Sequence, residues 1–159
     1  MPRVKLLFTK KETAFLKKMK LCIISSIDKK GFPHSVPIRY TYDRGALYIP
    51  THEKRKKIFN IRRNGKVAVL VTRFRSEDGK PEGLLTQGTA EILTSGEEYL
   101  RTGNKIGIGT HGFDKKTQSF TWAWYKQYII KVKPTGKTSW GVNQPYRGSD
   151  TYKQLGVTD

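Results

Sequence analysis

Cysteine is almost absent: Cys22 is the only one among 159 residues. No intramolecular disulfide can form, and the expected setting is a reducing compartment, the cytoplasm. Cys22 lies among apolar neighbours in an expected strand, where a thiol acts as a small buried hydrophobe. Long apolar runs are missing too. The longest covers residues 67–71, far short of the roughly 20 residues of a membrane-spanning helix. The first apolar cluster, residues 6–8, is short and is followed by Lys10 and Lys11, unlike a secretory signal. There is no repeat of 20–50 residues and no regular alternation of strand and helix, which argues against solenoids and parallel α/β sheets. Histidine is limited to His34, His52 and His111, without ligand-like spacing, so no metal site is expected. No arrangement of Ser, His and acid stands out.

Negative charge is the most conspicuous shortage. Thirteen acidic residues face 31 Lys and Arg, leaving a net charge of +18. Such a balance suits a nucleic-acid surface or a site for anionic small molecules, and it also occurs as plain surface chemistry in proteins from hot environments. Composition does not choose among these.

Apolar clusters separated by Gly- and Asp-rich turns mark a folded chain of one-domain length. Thr9 and Glu12 form a capping-box pattern, predicting a helix with Phe15, Leu16 and Met19 on its apolar face. Strands are predicted over residues 21–28, 33–42, 46–49, 66–74, 84–93 and 128–132, the last stopped by Pro134 and Gly136. A short helix is predicted over 53–64 and another near 96–100. Residues 103–112 read as a mobile, Gly-rich loop. The expected architecture is mainly β (α+β), a six-stranded antiparallel split barrel with short peripheral helices, over residues 1–143, followed by a polar tail, residues 144–159.

Residues 107–112 spell G-x-G-x-x-G, but a dinucleotide fingerprint must follow a strand and open a helix, and neither is predicted there. The run Lys54-Arg55-Lys56-Lys57 at a predicted helix start is more informative. Cations at a helix N-terminus oppose the macrodipole, and a bound anion reverses that penalty because free N–H groups and cations converge on it. The plainer alternative is a solvated basic face. Arg39, Tyr40, Tyr42 and Tyr48 would suit base stacking and phosphate tracking in a nucleic-acid-binding barrel. Strand alternation works against this, since it sends many of those rings to opposite faces.

Several stretches carry a family likeness. The turn Asp28-Lys29-Lys30-Gly31, with Pro33 and the run to Ile38, has the form of an opening hairpin. Residues 46–51 end in Thr51 as a cofactor-contacting strand does. Lys56 and Lys57, followed by Ile61 and Asn64, fall in the register of an Arg-Lys pair before a helix end. Residues 67–71 and 87–91 match the next two strands, and Lys133-Pro134 with Ser139-Trp140 matches a closing element. In order and spacing, residues 21–93 and 128–140 resemble the pyridoxamine 5'-phosphate oxidase-like family of FMN-binding split barrels. The resemblance implies FMN, with Lys56 and Lys57 on its phosphate and the Thr51 hydroxyl beside them. It places Arg39 at the phosphate or ribityl end, the backbone of Val36, Pro37 and Ile38 along the isoalloxazine ring, and Trp140 against the ring in a homodimer.

The chain also departs from that pattern. Arg55 replaces a Ser, Lys56 replaces an Arg and so lacks its bidentate fork, and Gly65 replaces a Pro. Gly83 stands where the vitamin-forming oxidases have Gln, and their Arg-rich C-terminal substrate motif is not recognisable. The implied function is therefore an FMN-dependent oxidoreductase acting on an unidentified small molecule, not pyridoxamine phosphate oxidation itself. The alternatives are a deazaflavin- or haem-binding split barrel, a non-catalytic nucleic-acid-binding barrel, and a cofactor-free interaction protein.

Overall fold

The structure, a computed structural model, describes residues 7–76 and 78–144. Helix α1 (Lys10–Lys18) begins as the capping box predicts: the Glu12 amide donates to the Thr9 hydroxyl at 3.1 Å, and the Thr9 amide donates to the Glu12 carboxylate at 2.9 Å. Strands β1 (Leu21–Ile27), β2 (Pro33–Arg39), β3 (Thr41–Asp43) and β4 (Ala46–His52) lead to helix α2 (Lys56–Arg63). Then come β5 (Lys66–Phe74), β6 (Pro81–Leu93), helix α3 (Glu97–Ile106), a 3-10 turn (Ile108–Thr110), β7 (Phe113–Asp114), β8 (Ser119–Trp122) and β9 (Tyr125–Trp140). None of the described helices is long and apolar enough to cross a membrane.

The strands join antiparallel in the order β2-β1-β5-β6-β9-β4-β3, with β8 on β9 and β7 on β8. Six of them have seven residues or more, which are the six expected; β3, β7 and β8 are short additions. The path does not close on itself. Among the described residues, β2 is terminal, with β1 on one edge and no strand on the other. β4 pairs β9 from Leu47 to His52 but pairs β3 only from Ala46 to Tyr48, so among the described residues one edge of 49–52 has no strand partner. These two free edges form the seam of a split barrel.

Alternating strand residues fill the interior. Cys22, Ile24, Leu47, Ile49, Val69, Val71, Leu84, Ile130 and Val132 pack with Leu16 of α1 and Ile58 of α2 in one cluster. Burial pushes the Cys22 thiol up to about 12, so it stays protonated and inert at neutral pH. Glu12, only 1% exposed, ties α1 to the far end of β9: it accepts from Lys137, from Ser139 at 2.9 Å and from Asn143 at 2.9 Å. Burial opposes its ionisation, yet these hydrogen bonds and that of the Thr9 amide prevail and hold the carboxyl below its ordinary range.

Three expectations are corrected. The last strand runs through Pro134 to Trp140: Pro134 stands opposite Gly88, and the register shift between Gln87 and Gly88 leaves Thr135 as the extra residue of a bulge. The helix expected near 96–100 continues to Ile106, and Gly103 belongs inside it: the Phe120 ring occupies the place of a Cβ, 2.3 Å from where that atom would stand. Residues 103–112 are thus mostly helix and 3-10 turn. Their G-x-G-x-x-G run starts at a helix C-terminus, where Gly107 is a left-handed cap with φ 83°. Helix α2 starts at Lys56, three residues later than predicted. Asn143 is docked on Glu12, and of the expected polar tail, residues 145–159 lie outside the described residues.

Candidate functional site

The site begins with how α2 is held. Ile58 and Ile61 are buried in the core, while the buried Asn60 donates to the Ser26 hydroxyl at 3.0 Å and accepts from Arg63 at 3.1 Å. The helix start is thereby fixed against the end of β1, and Lys56 pairs with Asp28 at 3.6 Å. Asp28 also accepts from the Lys30 and Phe32 amides, at 2.9 and 3.0 Å, so the turn before β2 and the start of α2 form one corner.

That corner is electrostatically one-sided. The N-cap residue of α2 is Arg55, whose side chain makes no capping hydrogen bond, and the first turn contains no acid. Lys57 in this turn is only 7% exposed, and its ammonium has no hydrogen-bond or ion-pair partner among the described residues. Burial, and then the neighbouring Arg55 cation, pull its pKa below the ordinary lysine value. An unpartnered ammonium at the mouth of a largely buried side chain, beside helix N–H groups, is the arrangement an anion relieves.

A cavity of about 560 Å³ opens here, along the seam between β2 and the end of β4. This is within the usual size range of cofactor pockets. Of the residues predicted for the site, Val36, Pro37, Ile38, Arg39, Thr51, Lys56 and Lys57 all line it. His34 and Arg39 stand at opposite ends of β2, about 16 Å apart at the usual rise per residue. The Lys56–Asp28 pair places the cations at the His34 end, so Arg39 lies at the other.

Trp140 is not brought to this cavity within the chain. It pairs with Gly83 across β6 and β9, and its ring fills the space where a Cβ on Gly83 would come within 2.1 Å. Gly83, which stands in the place of a Gln, is what lets the indole lie there. Tyr40, Tyr42 and Tyr48, considered for base stacking, are all buried in the interior and present no face to a nucleic acid.

The sequence reading missed the histidines. His34, His52 and His111 all line the cavity, with Arg55, Pro50, Trp122 and Gln127. Their ligand-like spacing is absent because proximity comes from β2, β4 and the 3-10 turn meeting in space. Nδ1 of His34 is buried without a hydrogen-bond partner among the described residues. His52 stacks on Tyr125, with centroids 4.7 Å apart and planes at 16°. Burial, then Arg55 and Lys57, draw its pKa below the ordinary 6.5, with Glu53 opposing, so it is neutral at pH 7.

No curated protein sequence matches the chain. Solved structures share its fold. A conserved hypothetical protein from Mycobacterium tuberculosis superposes with a TM-score of 0.67 at 19% identity, covering 99% of this chain and 93% of that one. A candidate pyridoxamine 5'-phosphate oxidase from Listeria innocua gives 0.61 at 21%, covering 79% and 92%. An FAD-binding protein from Mesorhizobium loti gives 0.59 at 17%, covering 80% and 89%. The sequence model of pyridoxamine 5'-phosphate oxidase matches residues 8–125, which takes in the barrel strands β1–β6, the helix α2 and both sides of the seam. The chain belongs to the pyridoxamine 5'-phosphate oxidase family.

Proposed function

We propose that the seam cavity binds FMN and that the protein is a flavin-dependent oxidoreductase acting on an unidentified small molecule. The observation that carries this reading is Lys57, whose side chain is largely buried and whose partnerless ammonium reaches the cavity at an uncapped, acid-free helix start. A dianionic phosphate satisfies it, Lys56 and the free α2 amides together. The Thr51 hydroxyl and His34, with its unpartnered Nδ1, add hydrogen-bonding groups at the same end.

The ring end is built differently. The free edge of β2 offers its backbone between residues 36 and 38 to the polar edge of the isoalloxazine, and Val36 and Ile38 supply apolar cover. Arg39, at the far end of β2, belongs to this ring end. Bound FMN supplies the electron-transfer chemistry, and the protein contributes orientation, charge and exclusion of water. The reading includes a homodimer, in which a second copy covers exposed apolar side chains such as Leu21, Ile23 and Phe59.

The test is an absorption spectrum of the purified protein before and after excess FMN and gel filtration. Retained flavin near one per subunit supports the reading, and no retention rejects it. The same spectrum separates a deazaflavin or a haem from FMN. Sedimentation of the loaded protein reads the dimer.

A further inference from the structure

The cavity does not stop at the cations. β4 runs toward them and ends at His52, which pairs with Gln127 at the start of β9. The β8–β9 hairpin carries that ladder past the end of β4, with Trp122 opposite Tyr125. On this far side the lining changes from cations to rings: His52, Trp122 and His111. Trp122 lies 6.2 Å from His52, with planes at 44°, and 6.3 Å from His111, at 57°. At these separations and tilts the three rings do not cover one another, and Trp122 remains 47% exposed. Among the described rings, Tyr125 alone stacks on His52, covering one of its faces.

The shelf is held in place. The Tyr99 hydroxyl donates to the Gln127 carbonyl at 2.7 Å and accepts from the Phe120 amide at 2.8 Å, clamping β8 and β9 together. The hairpin turn puts Ala123 at φ 53°, a backbone conformation that alanine adopts only when its surroundings impose it. The influence of Arg55 and Lys57 on His52 marks the shelf as adjoining the phosphate end, and a neutral imidazole stacks well on a base.

We infer that this compartment is a base-binding shelf: it takes a planar heteroaromatic group joined through the phosphate held at α2, so the chain holds flavin adenine dinucleotide more tightly than FMN. The inference rests on the flavin reading above. A mononucleotide ends at the cations, whereas a dinucleotide carries its adenine to the rings beyond them.

The test is a titration of the flavin-free protein with FMN and with FAD, in wild type and in Trp122→Ala and Trp122→Phe. In wild type FAD should bind about tenfold more tightly than FMN or better, the range expected of stacking on one aromatic ring. Trp122→Ala should lose that preference while its FMN affinity stays within about twofold, and Trp122→Phe should recover most of it. ADP alone should raise the melting temperature of wild type clearly more than that of Trp122→Ala, and inorganic phosphate should raise both equally. Equal binding of the two flavins in wild type, or an equal loss of both in Trp122→Ala, overturns the shelf and leaves the FMN reading standing. Absence of binding by either flavin rejects the FMN reading and the shelf with it.

Discussion

The starts of α1 and α2 each bury one charged side chain, and they treat it in opposite ways. At α1 the charge is Glu12, of the sign the helix dipole favours, answered by the Thr9 amide, Lys137, Ser139 and Asn143. At α2 it is Lys57, of the sign the dipole opposes, and no described group answers it. The first arrangement is complete within the chain and fastens two ends of the fold. The second is complete only with a ligand. The difference teaches how to tell a structural helix start from a binding one: by whether the buried charge has its partners in the chain.

Removing the cations should separate the two roles most sharply. Lys56→Ala with Lys57→Ala is expected to weaken flavin binding by about 3–6 kcal/mol, since charged hydrogen bonds contribute roughly 1.5–3 each. Unchanged affinity in isothermal titration would place the phosphate elsewhere. Glu12→Ala should cost about 3 kcal/mol of stability in urea unfolding, combining a broken buried ion pair with a lost cap. This contribution has a pH signature. The folded-state pKa of Glu12 is depressed, so the stabilisation is present above the ordinary 4.5 and is lost as pH falls through the folded value. The gap between wild type and Glu12→Ala should therefore narrow in acid, and a gap independent of pH would show the carboxylate charge to be irrelevant.

Lys57→Met should do the reverse of Glu12→Ala. Without flavin, exchanging a largely buried side chain with an unpartnered, partly desolvated ammonium for an apolar chain of similar shape is expected to stabilise by up to about 1 kcal/mol. A lower melting temperature would mean Lys57 is already satisfied. The smallest effect is expected from Arg55→Ser, which supplies α2 with the cap it lacks: a gain of roughly 0.5–1 kcal/mol in the flavin-free protein.

What the sequence made legible was local or in register. Thr9 and Glu12 are three apart, so their reciprocal bonds can be read directly, and Lys56 and Lys57 stand at a fixed distance from Asn64 in a recognisable pattern. The six long strands follow from alternation. Less legible was everything decided by packing between distant segments. Gly103 looked like a loop residue until the Phe120 ring is seen against it, and Pro134 looked like a strand stop until its place opposite Gly88, with the bulge at Thr135 beside it, is seen. The three histidines are separated by 18 and 59 positions, and only the fold brings them to one cavity. The place of the Trp140 ring over Gly83 depends on the absent side chain there, while its expected contact with the cofactor belongs to a homodimer.

The seam has a further consequence for solubility. Two unpaired strand edges facing a common gap are the kind of surface on which another chain adds a strand and aggregation begins. Each edge carries a proline, Pro37 on β2 opposite Ile23 and Pro50 on β4 opposite Ile129. A proline is accommodated in a paired strand where its missing N–H points away from the partner, which here means into the gap. Each edge is thus short of a donor that an invading strand would use. The opening can admit a flat small molecule while offering a neighbouring polypeptide a poorer template than an edge with all its donors.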